Sequence, residues 1–226
     1  MAVRTEAPVS AGYVQLRRQP YRGHQLVIDA VLRNSRPGDR VFEGGVSSGY
    51  LARELVEAGL VVDGAELDPV AAEEARQVCS TVVVGDLQHL DLSTLPRYDV
   101  VLFGDTLEHL PDPGAVLARL QPRLKRGGAL VVSIPNVANW AIRLSLLVGR
   151  FRYTDRGILD RTHLRFFTRR TLIELLEGAG FRVVALEASV PLPGISAAWL
   201  CRLAHRVGNW RPSLFAYTFV VTAVPA

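Results

Sequence analysis

An α/β fold, with helices covering both faces of a parallel sheet, is predicted by three features of the chain. Five short segments are apolar throughout, the pattern of strands buried on both sides. Amphipathic stretches of about ten residues alternate with them. Two more apolar segments near the end have the character of a closing antiparallel pair. No repeat, low-complexity tract or linker interrupts the 226 residues, a length that fits one domain, residues 1–226, with a sizeable core.

Each element has its own signal. After a polar arm, "GHQLVIDAVLR" carries apolar residues at helical spacing, so residues 1–37 form an arm and a helix ahead of the sheet. "DRVFEGG" is the first strand, and "SGYLARELVEAG" an amphipathic helix closed by glycine. "LVVDGAELDP" is the second strand, with Asp68 and Pro69 as N-cap and first residue of the helix "PVAAEEARQVC". "STVVVGD" and "YDVVLFGD" are the third and fourth strands. "DPGAVLARLQPRLKRGG" is expected to be helical as far as the fifth strand, "ALVVSIPN". Residues 136–167 then break the rhythm; they contain a helix near "WAIRLSLLVG" and are expected to cap the substrate side. "TRRTLIELLEGAGF" returns to helix, with Thr168 as N-cap and Gly180 past its end. "FRVVALEA" and "SLFAYTFVVTAV" form the closing pair around a helix in "ISAAWLCRLAHRVG".

Hydrophobic content of 49% with 21% charged residues is that of an ordinary globular protein. No run has the length of a membrane span, and "MAVRTEAPVSAG" lacks the apolar core of a signal peptide. Cys79 and Cys201 show no metal or redox spacing, so both are expected to be buried and the compartment to be a reducing cytoplasm. Net charge is a mild +4, but between Arg143 and Arg170 eight arginines stand against two aspartates. That segment is either a solvated face or a basic wall beside an anionic acceptor.

Ligands of open α/β sheets lie outside the carboxyl ends of the strands. The polar residues there are Glu43, Glu66, Asp86 and the pair Gly104-Asp105. "VFEGGVSSGYLA" has glycines for close backbone approach but not the G-x-G-x-x-G of a dinucleotide site. Its pattern is Glu43-x-Gly45-x-x-x-Gly49, and an acid there repels phosphate and suits a cation. Glu66 follows Glu43 by 23 residues, near the distance at which an acid reaches a ribose diol. These features argue against a nicotinamide-dependent oxidoreductase.

Taken together, "FEGGVSSGYLA", "GAELDP", "VVVGDL" and "VVLFGDTLEHLPDP" resemble the class I S-adenosylmethionine-dependent methyltransferases, from about residue 38 to the end. The resemblance implies a Rossmann-like, seven-stranded, mostly parallel sheet with helices on both faces and the last strand antiparallel. It implies S-adenosylmethionine as cofactor and S-adenosylhomocysteine as product. It also implies that Gly45 and Gly49 lie against the methionyl portion, with Glu43 and the Gly104 carbonyl near its ammonium group. Glu66 would take the ribose hydroxyls, Leu67 would pack beside the adenine, Asp86 would accept from its amino group, and the Leu87 backbone would face the ring. Val46-Ser47-Ser48 depart from the family pattern, which has cysteine or proline after the first glycine.

The resulting expectation is methyl transfer to a small-molecule acceptor, anionic if the arginines form a wall beside it, at a hydroxyl of a sugar or secondary metabolite. The alternatives are transfer to an RNA end or a peptide amine, and binding of the cofactor without catalysis. His163, in "LDRTHLRFFT", is the candidate general base. Asp105, Glu108 and His109 in "DTLEHL", with His163 later, are similar to the pattern of metal-assisted small-RNA 2′-O-methyltransferases and of ubiquinone-biosynthesis O-methyltransferases. Thr162 stands where the RNA enzymes carry a second histidine, and the motif is widespread in relatives without metal, so no metal ligand is assigned. Trp199, Leu203 and Val207 share one helical face, for which core packing or a dimer contact is expected rather than membrane docking. The protein is expected to be a monomer or homodimer with neither membrane nor nucleic acid as partner. Asn136 is a candidate for positioning substrate.

Overall fold

The computed structural model describes residues 21–192, 194–195 and 197–226. The polar arm, up to residue 20, lies outside them. Helix α1 spans Gly23–Arg33, followed by β1 (Arg40–Gly44), α2 (Tyr50–Glu57), β2 (Val61–Glu66), α3 (Pro69–Ala75) and β3 (Thr81–Val84). Next come β4 (Tyr98–Gly104), α4 (Pro113–Leu120), β5 (Leu124–Pro135), α5 (Trp140–Leu147) and α6 (Arg169–Gly178). The chain closes with β6 (Phe181–Ser189), α7 (Ala198–Trp210), α8 (Pro212–Phe215) and β7 (Thr218–Pro225).

The strands form one seven-stranded sheet in the order β3-β2-β1-β4-β5-β7-β6. Strands β1 to β5 are parallel where they pair. β7 runs antiparallel to both β5 and β6, as expected for the last strand. The order reverses between β1 and β4, which makes their carboxyl ends a topological switch point, the usual ligand crevice of such sheets.

The strands lack polar alternation because both faces are covered. Along β4, Val100 and Leu102 pack into one core with α1 and α2, while Val101 and Phe103 pack into the other with α4 and α6. Local chemistry sets the helix ends. The Asp68 carboxylate accepts from the Val70 amide with Pro69 at the first helical position, and Thr168 closes a capping box with Thr171.

Three expectations are corrected. The helix drawn to Gly128 ends at Leu120, because Pro122 has no amide hydrogen; residues Gln121–Arg123 make one 3₁₀ turn and β5 begins at Leu124. Cys79 is buried but Cys201 is only half-buried. Of the two expected roles of Trp199, Leu203 and Val207, core packing is corrected: α7 packs on β6 through its other side, where Gly208 meets Ala188 and Val190, and all three remain exposed.

Residues 136–167 leave the sheet and return to the same point. Asn136 is bridged to Phe167, and the Val137 amide donates to the Phe167 carbonyl at 2.9 Å. The segment is therefore a loop closed at its neck, standing beside the carboxyl end of β5.

Candidate functional site

Strand register brings the expected acids to one rim. Glu43 and Gly44 of β1 pair with Gly64 and Ala65 on one side and with Leu102 and Phe103 on the other. Gly45 follows with φ +73°, and a Cβ there would meet the Thr106 side chain at 2.6 Å. Only glycine satisfies both conditions. Gly49 caps α2 at φ +79°, where a Cβ would press on the Ala75 backbone at 3.2 Å. The Thr106 hydroxyl donates to the Gly44 carbonyl at 3.0 Å or the Gly104 carbonyl at 3.2 Å, tying the two strand ends across the switch point.

The carboxylates differ in how they are satisfied. Glu43 is buried, its Oε2 accepts no hydrogen bond, and burial followed by repulsion from Glu66 pushes its pKa up to about 8. A buried carboxyl group left open in this way fits a cationic partner. Both oxygens of Glu66 are engaged by contrast: Oε2 accepts from the Ser47 amide at 2.7 Å, and Oε1 from the Leu67 and Asp68 amides at 2.8 and 3.0 Å, which leaves Oε2 able to accept once more. It thus holds the glycine loop to the start of α3 while remaining partly open to solvent. Asp86 accepts from the Gln88 amide and contacts His89 Nδ1, each at the half-exposed end of β3. The Leu67 side chain is exposed beside this rim, and that of Leu87 is buried in the core, which leaves only its backbone to face a ligand.

A second cluster forms where the 136–167 loop returns over β4. Asp105 turns the chain at φ +51° and is held by Ser133, whose hydroxyl donates to its Oδ1 at 2.7 Å. The turn sends Glu108 inward, and its carbonyl accepts from the Leu164 and Arg165 amides. Three donor groups thereby converge: Glu108, His109 and His163 offer ligand atoms within 4.8 Å of one another. His109 Nδ1 donates to the Thr162 carbonyl and His163 Nδ1 to the Ile158 carbonyl, both at 3.1 Å, an assignment that follows because a carbonyl only accepts. On His163, which burial keeps neutral, Nε2 is then left unprotonated. The distance from His163 Nε2 to Glu108 Oε1 is 3.9 Å, too long for a hydrogen bond, and both Glu108 oxygens lack any such partner among the described residues. Burial, then Asp105, raises the Glu108 pKa well above the usual carboxylate value, whereas burial, then His109, lowers that of His163.

Beside this cluster is a cavity of about 400 Å³ between α5, the loop and the start of β7. Trp140, Ile142, Ile158, Leu159 and Phe215 give it apolar walls, with Tyr217 beside them. Ile158 belongs to both features, since its carbonyl orients His163. Asn136 takes no part: its amide is buried, donates to Ala216 and accepts from Ala138, which is a structural role.

Comparison with known proteins decides the family. A family profile described as "Methyltransferase domain" matches residues 17–186, well over half of the chain. The chain belongs to the class I S-adenosylmethionine-dependent methyltransferases. Among curated relatives, this methyltransferase is 26% identical over 174 residues to the ubiquinone biosynthesis O-methyltransferase of Idiomarina loihiensis, covering 70% of this chain and 68% of that one. It is 30% identical over 167 residues to a probable S-adenosylmethionine-dependent methyltransferase of Mycolicibacterium smegmatis, covering 72% of this chain and 59% of the relative's length. In fold it is similar to the CcbJ methyltransferase of Streptomyces caelestis, with a TM-score of 0.64 at 18% identity over 96% of this chain and 95% of that one. The magnesium protoporphyrin IX methyltransferase of Synechocystis PCC 6803, crystallised with S-adenosylhomocysteine, gives a TM-score of 0.62 at 20% identity, covering 90% and 84%.

S-adenosylmethionine is the methyltransferase's cofactor. The rim fits it, because the open Glu43 carboxyl suits an ammonium group and the Gly45 backbone allows close approach. Two residues of this rim have no sequence signal. Thr106 and Ser133 hold the β4 turn, but nothing in their spacing reveals that one faces Gly45 and the other Asp105. The proximity of His109 to His163 was hinted at by the motif; its geometry depends on the neck that closes the loop.

Proposed function

We propose that this methyltransferase transfers the methyl group to a hydroxyl of a small molecule with an apolar body, bound in the cavity beside His163. The observation that carries this reading is the cavity itself. Its walls are mainly aliphatic and aromatic, which favours a secondary metabolite over a sugar. The relative from Idiomarina is named an O-methyltransferase, which supports oxygen as the nucleophile. S-adenosylmethionine supplies an electrophilic methyl on a sulfonium whose charge disappears in the transfer. Glu43 and the Gly104 carbonyl hold the ammonium end, Gly45 and Gly49 the methionyl chain, and Glu66, Leu67, Asp86 and the Leu87 backbone the nucleoside. The 136–167 loop covers the acceptor and excludes water. His163, neutral through burial, takes the hydroxyl proton at Nε2 as the carbon–oxygen bond forms and the carbon–sulfur bond breaks.

A second reading rests on the orphaned Glu108 oxygens. With His109 and His163 they fit a divalent ion, and the two Nδ1–H···O=C bonds orient the rings as ligating histidines require. Such an ion would act as a Lewis acid toward the acceptor oxygen. The deciding experiment is a screen of phenols, sugars and amines for S-adenosylhomocysteine release, with and without EDTA. Turnover of apolar phenols is expected; turnover of sugars or amines alone overturns the acceptor class, and no turnover of any candidate favours cofactor binding without catalysis. Activity that EDTA abolishes and Mn²⁺ restores selects the metal reading.

A further inference from the structure

We propose that α5 and α7 form a docking surface for an anionic lipid membrane beside the acceptor cavity. No residue of α5 is buried, and Trp140, Leu144, Leu147 and Val148 lie on one exposed face at helical spacing, Leu147 being 81% exposed. Along α7, Trp199, Leu203, Val207 and Trp210 repeat at four, four and three residues on its outward side, the two tryptophans 67% and 71% exposed. Neither helix can cross a bilayer: the longer has 13 residues, about 20 Å, against an apolar thickness of about 30 Å. Helices of this kind lie in the interface, with tryptophan and leucine among the acyl chains and arginine at the headgroups.

The charge pattern names the partner. Arg202 and Arg206 stand exposed among the apolar residues of α7, and Arg143, Arg150 and Arg152 on or after α5. No aspartate or glutamate occurs from Asn136 to Thr154 or from Ala188 to Ala226. A second copy docked through this surface by a two-fold axis would set arginine against arginine with no carboxylate to pair. A nucleic acid would use the arginines but leave the leucines wet. An anionic bilayer satisfies both sets at once.

The two helices are linked through α8. The Arg143 guanidinium donates to the Ser213 carbonyl at 3.4 Å, and α8, which contains Ser213, packs on α7. The acceptor cavity is walled by Trp140 and Ile142 of α5 and by Phe215 of α8, beside Val190, which faces Gly208 of α7. Docking would therefore bring the cavity to the bilayer, where an acceptor with an apolar body dissolves. That consequence rests on the proposed acceptor site; the docking itself does not.

Cosedimentation with phosphatidylcholine vesicles, with and without phosphatidylglycerol, tests the proposal without any acceptor present. Binding is expected only to the phosphatidylglycerol vesicles, and it should weaken with salt. Arg202→Glu/Arg206→Glu should reduce it by at least about thirtyfold, since each basic residue near an anionic surface contributes about fivefold. Trp199→Ser/Leu203→Ser should reduce it at low salt as well, while both variants keep the parent affinity for S-adenosylmethionine. Failure to bind the anionic vesicles, or binding that both double variants retain, overturns the proposal. So does a dimer in light scattering that Trp199→Ser/Leu203→Ser dissociates while the vesicles capture nothing.

Discussion

In the proposed site, Glu43 would couple cofactor binding to protonation through one side chain. Its carboxyl is buried with one oxygen unpaired and a pKa of about 8, so it is largely protonated at neutral pH in the free protein. Placed against an ammonium group it would ionise, so binding of S-adenosylmethionine at pH 7 should release close to one proton. Affinity should then rise by up to about tenfold per pH unit toward pH 8, and level off where the cofactor's own amine deprotonates. Calorimetry in buffers of different ionisation enthalpy measures this, and a binding heat independent of buffer would remove Glu43 from the role. The stability sign is opposite. A carboxyl whose folded pKa is raised above its unfolded value loses its stabilising contribution as pH rises from about 4.5 through about 8. Glu43→Gln should thus melt higher than the parent at pH 8.5 while binding the cofactor more weakly. Glu66→Ala should weaken binding by roughly 1–3 kcal/mol, because it removes a charged acceptor and frees the Ser47 amide that holds the glycine loop. Unchanged calorimetric affinity in the folded variant would contradict this. Glu43, Glu66 and Asp86 were legible in the sequence because apolar strands end visibly in acids. Which carboxylate is left unpaired and which holds loop amides was not, since that depends on loop amides folded back from elsewhere.

Elements were legible where their signals are local. The caps Asp68 and Thr168 act within three residues, so the starts of α3 and α6 could be read directly. Pro122 carried the stop signal for α4, but the run of residues up to Gly128 resembles a helix until β5 pairs Leu124 with Tyr98. The amphipathic face of α7 was equally visible; its orientation was not, because the opposite side finds Val190 through Gly208. The 136–167 loop was recognised as irregular, yet its closure through Asn136 and Phe167 is a long-range event. That closure puts His163 over β4, and its function can be separated from its packing. His163→Ala should lower kcat by about 10²–10⁴ if Nε2 accepts the acceptor proton, with cofactor affinity unchanged. A variant that keeps kcat but loses acceptor affinity would make His163 a binding residue. One that only melts earlier would leave it holding the loop through Ile158.

Across the whole molecule, the reversal of strand order between β1 and β4 gathers both clusters at one edge, the cofactor rim over β1, β2 and β3 and the Glu108 cluster over β4. Spacing along the chain does not show this, because Glu108 and His163 are 55 residues apart and meet only through the β4 turn and the loop neck. The two readings of that meeting predict different responses of the entire fold. Burial and Asp105 raise the Glu108 pKa, which favours its protonated form, and a divalent ion must displace that proton to bind. A ligand that binds only the folded state at 100 times its Kd adds about 2.7 kcal/mol, which in a chain of this size is a rise in Tm of about 5–11 °C. With Mn²⁺ the rise should be larger at pH 8 than at pH 6, because less proton competition opposes the ion at higher pH. Glu108→Gln keeps the shape of the side chain and mimics its protonated form, so it should fold normally and abolish the rise. Its own Tm without metal should equal or exceed the parent's as pH increases, since the parent alone bears the growing penalty of a buried charge. If Mn²⁺ leaves Tm unchanged at pH 8, no ion is held by this cluster, and the bare Nε2 of His163 is left with proton transfer as its chemistry.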